Sequence, residues 1–502
     1  MKDNIQNYKT ENEPENKSTR REFLKSAALG AGLLLGGEQI VFAQFQQRGR
    51  GPGQGGRGRR GVLSVASDNP SILLQRNRCN ECGRCVEFCR TTTTVYGQSV
   101  PPGEDACIYC GQCTFSCRRN AIIEQYHYQA VARAIADKDK IVIASTAPAI
   151  RVALGEMYRL APGTDVEGKI IGSLKQLGVN HVLDTTFSAD LTIMEEASEL
   201  LRRLEKNDAK NLPMFTSCCP AWVRFATLFY PDLLPKISTA KSPIMMQGAL
   251  VKTWFAQKTG IEPGKIVHVA LAPCTAKKAE ILLPGMNAAG VSRKNPEMRD
   301  VDVALTCREL SYLINDGKVD FPQAQDAQYD SLMGTGSGAG MIFGNTGGVM
   351  EAALRMAYKL SNDKNPPDEF FDLRPVRGLD GVRQANVDLG KRKLNVAVVN
   401  GIGGARPFIE SIQSGVWKFD FVEVMACSGG CIGGGGQPNN SIIDATRLKQ
   451  LRLDALYKRD ASQEIRLSCD NPQIKTIYDE FLGKPLSKKA EELLHVTLSS
   501  GQ

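Results

Sequence analysis

Two stretches of the chain repeat one cysteine spacing, C-x2-C-x2-C-x3-C. Three thiolates at these short intervals can hold three corners of a 4Fe-4S cubane, while the fourth cysteine of each stretch reaches the neighbouring cluster. The spacing therefore predicts two 4Fe-4S clusters. The predicted ligands of the first cluster are Cys79, Cys82, Cys85 and Cys117, and those of the second are Cys107, Cys110, Cys113 and Cys89.

Other uses of cysteine fit this spacing less well. A zinc ribbon would leave half of the eight thiols unused. Disulfides are the usual use of many cysteines in an exported protein, but the total of 15 would leave one unpaired. Histidine is scarce, with 4 residues in 502, which argues against His-rich zinc, haem or non-haem iron sites. The segment instead resembles a two-cluster bacterial ferredoxin, with Arg90 and Arg118 where proline usually follows the fourth cysteine.

Three further cysteine-bearing loops lie at residues 216–222, 272–280 and 423–438, each after a predicted strand. In α/β folds the carboxyl ends of strands are where ligand-binding loops converge. Cys219, Cys274, Cys427 and Cys431 could supply four thiolates to one more cubane, and the glycines around Cys431 would let the backbone approach it closely. The alternative is a set of inert buried cysteines, which are common singly but do not explain three polar, Gly/Pro-rich loops.

The elements that must position these loops alternate between apolar runs and amphipathic helical patterns. Strands are predicted at 141–145, 213–215, 266–271, 301–305, 394–399 and 419–425. Helices are predicted at 192–204, 221–230, 308–315, 349–359 and 474–482. Alternating strands and helices favour an α/β architecture whose sheets are covered on both faces.

The loop sequences resemble the three signature loops of the iron-only hydrogenases. These are TSCCPAW at 216–222, PCTAKKAE at 273–280 and EVMACSGGCIGGGGQP at 423–438. The segments DTTFSADLTIMEEASEL at 184–200, SGAGMIFGNTGGVMEAALR at 337–355 and NPQIKTIYDEFLGKP at 471–485 are similar to that family as well. The resemblance covers the chain from about residue 79 onward. It implies an α/β H-cluster domain of two lobes with helix-covered sheets, preceded by a small α+β ferredoxin-like domain.

The resemblance also implies a cofactor and a role for individual residues. The H-cluster of that family is a 4Fe-4S cubane bridged to a di-iron subsite that carries CO, cyanide and a dithiolate amine. By this resemblance Cys219, Cys274 and Cys427 bind the cubane and Cys431 bridges it to the di-iron subsite. The residues expected to line the pocket are Pro148, Phe343 and Met425, and Lys277, with Glu280 nearby, is expected to hydrogen-bond a cyanide.

A proton path follows from the same resemblance. Cys218 is the thiol that would exchange protons with the bridging amine. Glu196 and Glu199, three residues apart on one face of a predicted helix, would continue the path outward, with Ser238 between thiol and carboxylates. On their own the two glutamates would be read as a solvated helix face and Met425 as ordinary core.

Several positions depart from the family pattern. Ala272 stands where the family usually has methionine, which removes a thioether near the di-iron subsite, and Ala149 stands where some members carry serine. Cys469 lies where relatives often have histidine. Cys307 and Cys469 belong to neither metal-binding pattern and are predicted to be core residues.

The N-terminal region predicts export. The string STRREFLK at 18–25, a short apolar run at 27–37 and small residues before residue 44 resemble a twin-arginine (Tat) signal, with an uncleaved anchor as the alternative. Five arginines without an acid at 44–61 carry most of the formal net charge of +8, so that charge does not indicate nucleic-acid binding. The predicted organisation is a signal peptide at 1–43, a disordered Gly/Arg-rich linker at 44–68, a ferredoxin-like domain at 69–128 and a catalytic domain at 129–502.

The sequence thus predicts a periplasmic or otherwise exported hydrogenase that interconverts hydrogen with protons and electrons, and it favours the direction of hydrogen uptake. The expected partners are a cytochrome or ferredoxin as electron carrier, the Tat machinery and hydrogenase maturation proteins. A hydrogen sensor and an iron–sulfur assembly scaffold of the same fold are the alternatives. Cys218 argues against the sensor, and the Tat-like string together with the proton path argues against the scaffold.

Overall fold

The computed structural model describes residues 61–100, 106–208, 210–439 and 442–499. The predicted signal peptide and the predicted linker up to residue 60 lie outside the described residues. Residues 61–68 differ from the prediction of a disordered linker, because Leu63 is buried and packs with Ile72, Val86 and Ile122 in a small apolar core.

The Cys-rich segment is built around one antiparallel strand pair. Strand β1 (Ile72–Leu74) pairs with β2 (Ile122–Glu124), and the helices Arg84–Thr91 and Cys113–Ser116 lie between them in sequence. The second half of the segment packs elsewhere, since Val95 and Ile108 belong to the core around Trp222. The segment is therefore attached to the rest of the protein by apolar packing and not only by its chain connection.

The first lobe contains a parallel four-stranded sheet in the order β4-β3-β6-β7. Its strands are β3 (Ile141–Thr146), β4 (His181–Asp184), β6 (Ile266–Leu271) and β7 (Val303–Leu305). Their near-continuous apolar runs suit a sheet that is buried on both faces. The helices Glu167–Gln176 and Cys307–Asp316 contribute Ile170, Leu174 and Leu313 to the core on one face.

The second lobe contains a mixed four-stranded sheet in the order β5-β10-β9-β8. Its strands are β5 (Met214–Phe215), β8 (Val382–Asp388), β9 (Lys393–Asn400) and β10 (Phe421–Met425). Only β8 is antiparallel to its neighbour. The helices Pro220–Phe229 and Ala405–Gln413 pack on one face, and Gly348–Asn362 packs on the other.

The helix Thr185–Glu205 joins the lobes through a shared core. It begins at Asp184, whose side chain accepts a hydrogen bond from the Thr186 amide at 2.8 Å and so caps the helix. It contacts Pro243–Leu250, Gly338–Ile342 and Gly348–Asn362 and is buried over most of its length. Because the helix is held on several sides, its polar side chains have fixed positions inside the protein. None of the described helices is long and apolar enough to span a membrane.

The predicted α/β class with two helix-covered sheets is confirmed. The strand at 266–271 has the predicted ends, whereas β7 begins two residues later than predicted and β9 is one residue longer at each end. The helix predicted at 192–204 is part of the longer Thr185–Glu205, and the one predicted at 474–482 is Pro472–Ile477 continued by a π-helical turn, Tyr478–Leu482. Strands β1, β2, β4 and β8 were not predicted.

Candidate active site

Loops from the carboxyl ends of strands in both sheets meet at one cavity between the lobes. Pro148 follows β3, Cys218 and Cys219 follow β5, Cys274 follows β6, and Cys427 follows β10. The cavity has a volume of about 80 Å³, several times the roughly 10–15 Å³ that one water needs. The predicted site residues that line it are Pro148, Cys218, Cys219, Cys274, Lys277, Phe343, Met425, Cys427 and Cys431.

Four thiols in this cavity lie close enough to influence one another. Burial, with a smaller contribution from the neighbouring thiols, raises the pKa of Cys274 to about 11 and that of Cys431 to about 12. Burial also raises the pKa of Cys219 and of Cys427, the latter with contributions from Cys274 and Cys219. Four sulfur donors around a roomy apolar cavity fit the cubane and di-iron group that the sequence predicts, because the iron would neutralise the thiolates.

The glycine-rich loop after Cys431 leaves no room for larger side chains. A Cβ on Gly434 would lie 2.2 Å from the Pro273 carbonyl oxygen, and one on Gly435 would lie 2.1 Å from the Cys110 carbonyl oxygen. Glycine is therefore required at both positions for the three backbones to pack against one another. This packing brings the loop after β6, the loop after β10 and the Cys-rich segment together beside the cavity.

Two further polar groups, the Cys218 thiol and the Lys277 ammonium group, line the cavity wall beside the four converging thiols. The Lys277 Nζ donates to the Cys218 carbonyl oxygen at 3.1 Å and forms an ion pair with Glu280 at 2.8 Å. Burial by itself would lower the pKa of Lys277, but Glu280, Cys274 and Cys218 together outweigh it and the pKa is raised. Burial raises the pKa of Cys218 well above its usual value, and the Glu196 carboxylate adds to that shift. Lys277 is therefore a buried cation, and Cys218 is a protonated thiol at neutral pH.

Glu196, Glu199 and Ser238 form a buried polar file behind Cys218. Ser238 donates to Glu199 Oε2 at 2.8 Å. Glu196 is fully buried, and neither of its carboxylate oxygens has a hydrogen-bond partner among the described residues. Burial, assisted by the charge of Glu199, raises the pKa of Glu196 to about 8, and the Ser217 amide and the Ser238 hydroxyl lower it only in part. A carboxyl group that titrates near neutral pH can both accept and release a proton.

Four residues around Glu199 were not predicted from the sequence. Arg203 forms an ion pair with Glu199 Oε1 at 2.6 Å, and Thr239 donates to the same carboxylate through its amide at 3.0 Å and its hydroxyl at 3.1 Å. The Thr239 hydroxyl also contacts His495 Nδ1 at 2.8 Å, and His495 Nε2 lies 3.0 Å from Glu195 Oε2. The i,i+4 spacing of Glu199 and Arg203 was the one local signal for these contacts.

A surface cavity of about 370 Å³ provides the outer end of the file. Glu199, Arg203, Ser238 and Thr239 are among the residues that line it. Cys218 therefore lies at the inner end of the file, and Glu199 at the end that faces solvent.

The cysteines of the N-terminal segment lie in the two groups that their spacing predicts. Cys79, Cys82, Cys85 and Cys117 line one small cavity. Burial raises the pKa of Cys113, and the next largest contributions come from Cys107 and Cys89, which places these three together. The second group adjoins the active-site cavity, since Cys110 lies near Cys427 and the Gln112 amide donates to the Gly433 carbonyl oxygen at 2.7 Å.

The structure also shows where the positions that depart from the family pattern lie and how buried they are. Ala272 and Ala149 are buried and line the cavity, so the departure from the family pattern at each position changes the cavity wall. Cys307 is fully buried, as predicted for a core residue. Cys469 is only half-buried and packs at the edge of the main core, so the prediction that it is a core residue was correct only in part.

Comparisons with known proteins give a consistent result. Residues 140–435 match the family described as iron only hydrogenase large subunit, C-terminal domain, and residues 446–499 match iron hydrogenase small subunit. The chain is 43% identical to the NADP-reducing hydrogenase subunit HndD of Solidesulfovibrio fructosivorans, over 85% of this chain and 74% of the relative. It is 42% identical to the periplasmic Fe hydrogenase large subunit of Nitratidesulfovibrio vulgaris, over 77% of this chain and 91% of the relative.

A solved structure and a less similar group of relatives complete the comparison. The structure of an FeFe-hydrogenase from Chlamydomonas reinhardtii matches with a TM-score of 0.65 and 40% identity, over 75% of this chain and 100% of that chain. The cytosolic iron-sulfur assembly component 3 of Bos taurus is 30% identical, over 78% of this chain and 83% of the relative.

Proposed function

The chain belongs to the iron-only hydrogenase family, and on that premise we propose that it interconverts molecular hydrogen with protons and electrons at the cavity between its two lobes. The observation that carries this proposal is the arrangement of four converging thiols beside a fifth, Cys218, which opens onto a buried carboxylate file. A purely structural cysteine cluster would have no need of such a file.

The four converging thiols are the proposed ligands of the H-cluster. Cys219, Cys274 and Cys427 would hold its cubane, and Cys431 would be the ligand that the cubane shares with the di-iron subsite. When bound, this cofactor supplies the redox chemistry of hydrogen, which no protein side chain can perform. Two wall groups have separate proposed roles. Lys277 presents a buried positive charge to a cyanide ligand, while Phe343 helps to exclude water. Pro148 and Met425 line the same pocket as Phe343.

The proton moves along the file behind Cys218. The Cys218 thiol exchanges a proton at the cavity, and Glu196 takes it up next, because its pKa of about 8 allows both protonation states at neutral pH. Ser238 and the Ser217 amide lie near enough to Glu196 to lower its pKa, but no described residue makes a well-aligned hydrogen bond to its carboxylate. The proposed connection from Glu196 to Cys218 and to Ser238 therefore runs through water. Ser238 and Glu199 then connect the file to solvent at the surface cavity.

Electrons follow the opposite route, through the Cys-rich segment. The group around Cys110 adjoins Cys427, and the group around Cys82 lies further out, with Cys82 exposed to solvent. Two 4Fe-4S clusters at these positions would connect the cavity with a redox partner at the surface. We propose that the chain works in the direction of hydrogen uptake and passes electrons to a cytochrome or ferredoxin.

The alternatives remain a hydrogen sensor and an iron–sulfur scaffold. Identity to the assembly component, 30%, is lower than the 40–43% identity to the hydrogenases. A scaffold that never moves protons would gain nothing from keeping Cys218, Glu196 and Glu199 in one buried file. The proposal therefore favours a catalytic hydrogenase.

Export is a separate proposal, supported by the N-terminal sequence and by the name of one relative. The string STRREFLK at 18–25 resembles a Tat signal, and the relative from Nitratidesulfovibrio vulgaris is described as periplasmic. The Tat route carries folded proteins, which suits a chain that receives its clusters in the cytoplasm from maturation proteins. Replacing Arg20 and Arg21 by lysine should leave the protein in the cytoplasm, as cell fractionation would detect. Normal export of that variant would contradict the Tat assignment.

Infrared spectroscopy tests the central proposal. Protein produced together with hydrogenase maturation proteins should show CO and cyanide bands and should both take up and evolve hydrogen. Absence of the bands from correctly matured protein would overturn the hydrogenase assignment.

Replacing Cys218 by alanine tests the proton route. Because Cys218 is not among the four converging thiols, Cys218→Ala should keep the infrared bands and lose turnover by about 10²–10⁴-fold, the range typical of a lost acid–base group. Cys307→Ala is the matched control, since it removes a fully buried thiol outside the cavity. Near-normal turnover in Cys218→Ala would refute the relay role of the thiol.

A further inference from the structure

The helix Ala445–Ser462 packs against the loop that carries Cys427 and Cys431. This helix begins the part of the chain that matches iron hydrogenase small subunit. Arg452 anchors the helix to the loop, because its guanidinium group donates to the Ile432 carbonyl oxygen at 2.7 Å. The C-terminal part of the chain is therefore in direct contact with the loop that supplies two of the four converging thiols.

One turn before Arg452 on the same helix, the half-buried side chain of Lys449 runs along this loop. A Cβ on Gly429 would lie 3.3 Å from Lys449 Cδ, and one on Gly433 would lie 3.4 Å from Lys449 Cε. The two glycines, which lie on either side of Cys431 in the sequence, therefore leave room for the aliphatic part of the lysine side chain. Lysine often packs its methylene groups against a protein surface in this way.

The ammonium group of Lys449 lies near Cys427, and no acid neutralises it. Burial lowers the pKa of Lys449 from its ordinary value of 10.5, and Cys427 is the largest influence in the opposite direction, which places the two groups close together. Because the decrease starts well above neutral pH, Lys449 is a cation at pH 7. No acid in the described part of the chain forms an ion pair with Lys449, whereas Arg452 is paired with Glu156 at 2.7 Å.

Lys449 differs in this respect from the other lysine near the thiols. Lys277 is paired with Glu280, so much of its charge is balanced. Reduction of a 4Fe-4S cluster adds one negative charge, and the net charge around a cluster is one of the properties that set its potential. An unbalanced cation beside one of the cluster ligands stabilises the reduced form, and the effect is stronger at a half-buried site than in bulk water.

We propose that Lys449 raises the reduction potential of the cubane at the central cavity. This inference rests on the proposed function, because it concerns the cubane that Cys219, Cys274 and Cys427 would hold. Lys449 acts from behind the loop through the charge that it places near Cys427, so it is a positioning residue and not a catalytic one. A higher potential lets the cubane accept electrons from hydrogen more readily, which suits the proposed direction of uptake.

The test uses the full chain and variants at Lys449. Lys449→Met keeps an unbranched side chain against Gly429 and Gly433 but removes the charge, whereas Lys449→Arg keeps the charge. Lys449→Gln covers the case in which methionine disturbs folding. The matched control is Lys458→Met, which removes one positive charge from an exposed position on the same helix.

Reduction potentials are measured first on chains reconstituted with iron and sulfide in the absence of maturation proteins. These chains carry 4Fe-4S clusters and no di-iron subsite, and protein-film voltammetry follows all the clusters in one sample. Lys449→Met and Lys449→Gln should lower the potential of one cluster by about 59 mV, which is about a tenfold change in its one-electron reduction equilibrium. The potentials of the other clusters should not change, and Lys449→Arg and Lys458→Met should match the native chain.

Three results of the voltammetry would overturn the proposal. The first is an unchanged set of potentials in both uncharged variants. The second is an equal decrease in Lys449→Arg, since lost packing would then explain it, or in Lys458→Met, since any lost charge on the helix would then have the same effect. The third is an equal decrease at every cluster, because the charge would then not act at the central cavity.

Infrared spectroelectrochemistry of the matured chain identifies the cluster that changes. The CO bands should respond to reduction of the cubane, because Cys431 would be a ligand of both the cubane and the di-iron subsite. The potential of that response should be lower in Lys449→Met by the same amount as in voltammetry, and an unchanged value would overturn the proposal. Absence of the bands from the matured native chain would instead refute the proposed function, and the voltammetry would still decide whether Lys449 raises the potential of a cluster.

Discussion

The group formed by Cys79, Cys82, Cys85 and Cys117 and the thiols of the central cavity lie in different surroundings. Cys82 is exposed, and Arg84 and Arg119 line the same small cavity as its group. Cys274 and Cys431 face an enclosed apolar cavity, where burial and neighbouring thiols raise their pKa values to about 11 and about 12. Solvent therefore reaches the first site, whereas at the second site a thiolate requires bound iron.

This difference bears on how the two kinds of site acquire their cofactors. Metal binding releases the thiol protons, so a site with raised thiol pKa values binds iron less readily unless the whole group enters at once. Cys82 is open to solvent, so the group that contains it can take up a cluster from solution. The cavity instead needs delivery of a preformed group, which agrees with the proposal that maturation proteins serve this chain.

Replacing one ligand in each region should separate their roles most strongly. Cys431→Ser should abolish the CO and cyanide infrared bands and all hydrogen turnover, because the proposed bridge to the di-iron subsite is lost. Cys82→Ser should keep the bands and most of the turnover with a small viologen, but slow the reduction of a protein carrier. Infrared spectra and parallel assays with both acceptors give the comparison. Loss of the infrared bands in Cys82→Ser would mean that the two regions are not separable.

Thiol alkylation of the cluster-free protein tests the electrostatic difference directly. The pKa of Cys274 is raised from 9.0 to about 11, which lowers its thiolate fraction at pH 8 by about 100-fold, and Cys431 should be slower still. Iodoacetamide should therefore modify Cys82 at least about 100-fold faster than Cys274, as peptide mass spectrometry can measure. Similar rates at the two cysteines would show that the cavity opens freely in the absence of its cofactor.

The two regions also differ in how much of them the sequence predicts. Local spacing was sufficient for the eight cysteines of the N-terminal segment, and family motifs identified the cavity residues from Pro148 to Cys431. Glu199 and Thr239 are 40 positions apart in sequence, and Thr239 and His495 are 256 positions apart, so no local pattern predicts their contacts. Strand β8 was missed for a related reason. It lies at a sheet edge and has several exposed polar side chains, so its sequence lacks the apolar run that would predict a strand.

The comparison of surroundings also applies to a carboxylate, Glu196, which lies in the buried file behind Cys218. Its pKa of about 8 means that between pH 4.5 and 8 the native state holds a proton that the unfolded state has lost. The stability contributed by the protonated carboxyl group is therefore present at low pH and is lost as the pH rises through about 8. Glu196→Gln should remove that loss, which amounts to a few kcal/mol at about 1.4 kcal/mol per pKa unit.

Urea unfolding of the cluster-free protein at pH 5.5 and pH 8.5 measures the effect of Glu196. Glu423 and Asp190, whose pKa values burial raises to about 7 and about 6, shift stability in the same direction. They are present in both proteins, so the difference between the native chain and Glu196→Gln isolates Glu196. An unchanged pH dependence in the variant would show that water already solvates this carboxylate.

The smallest effect is expected at His495, which lies beyond the outer end of the file. The Thr239 hydroxyl lies between the Glu199 carboxylate, at 3.1 Å, and His495 Nδ1, at 2.8 Å. A hydroxyl has one proton to donate, so it can donate to only one of these two groups at a time. His495 and Glu199 thus share one hydroxyl, and a change at His495 alters the hydrogen bonding of Glu199.

His495→Gln should therefore change the rate of turnover by about two- to fivefold, the size expected for one hydrogen bond worth about 0.5–1 kcal/mol. Thr239→Val is the matched variant, because it removes the hydroxyl that connects His495 to Glu199. In a chain that already carries Thr239→Val, the change His495→Gln should have no further effect, since the connecting hydroxyl is gone. Additive effects would show that His495 acts through Glu195 and not through Thr239.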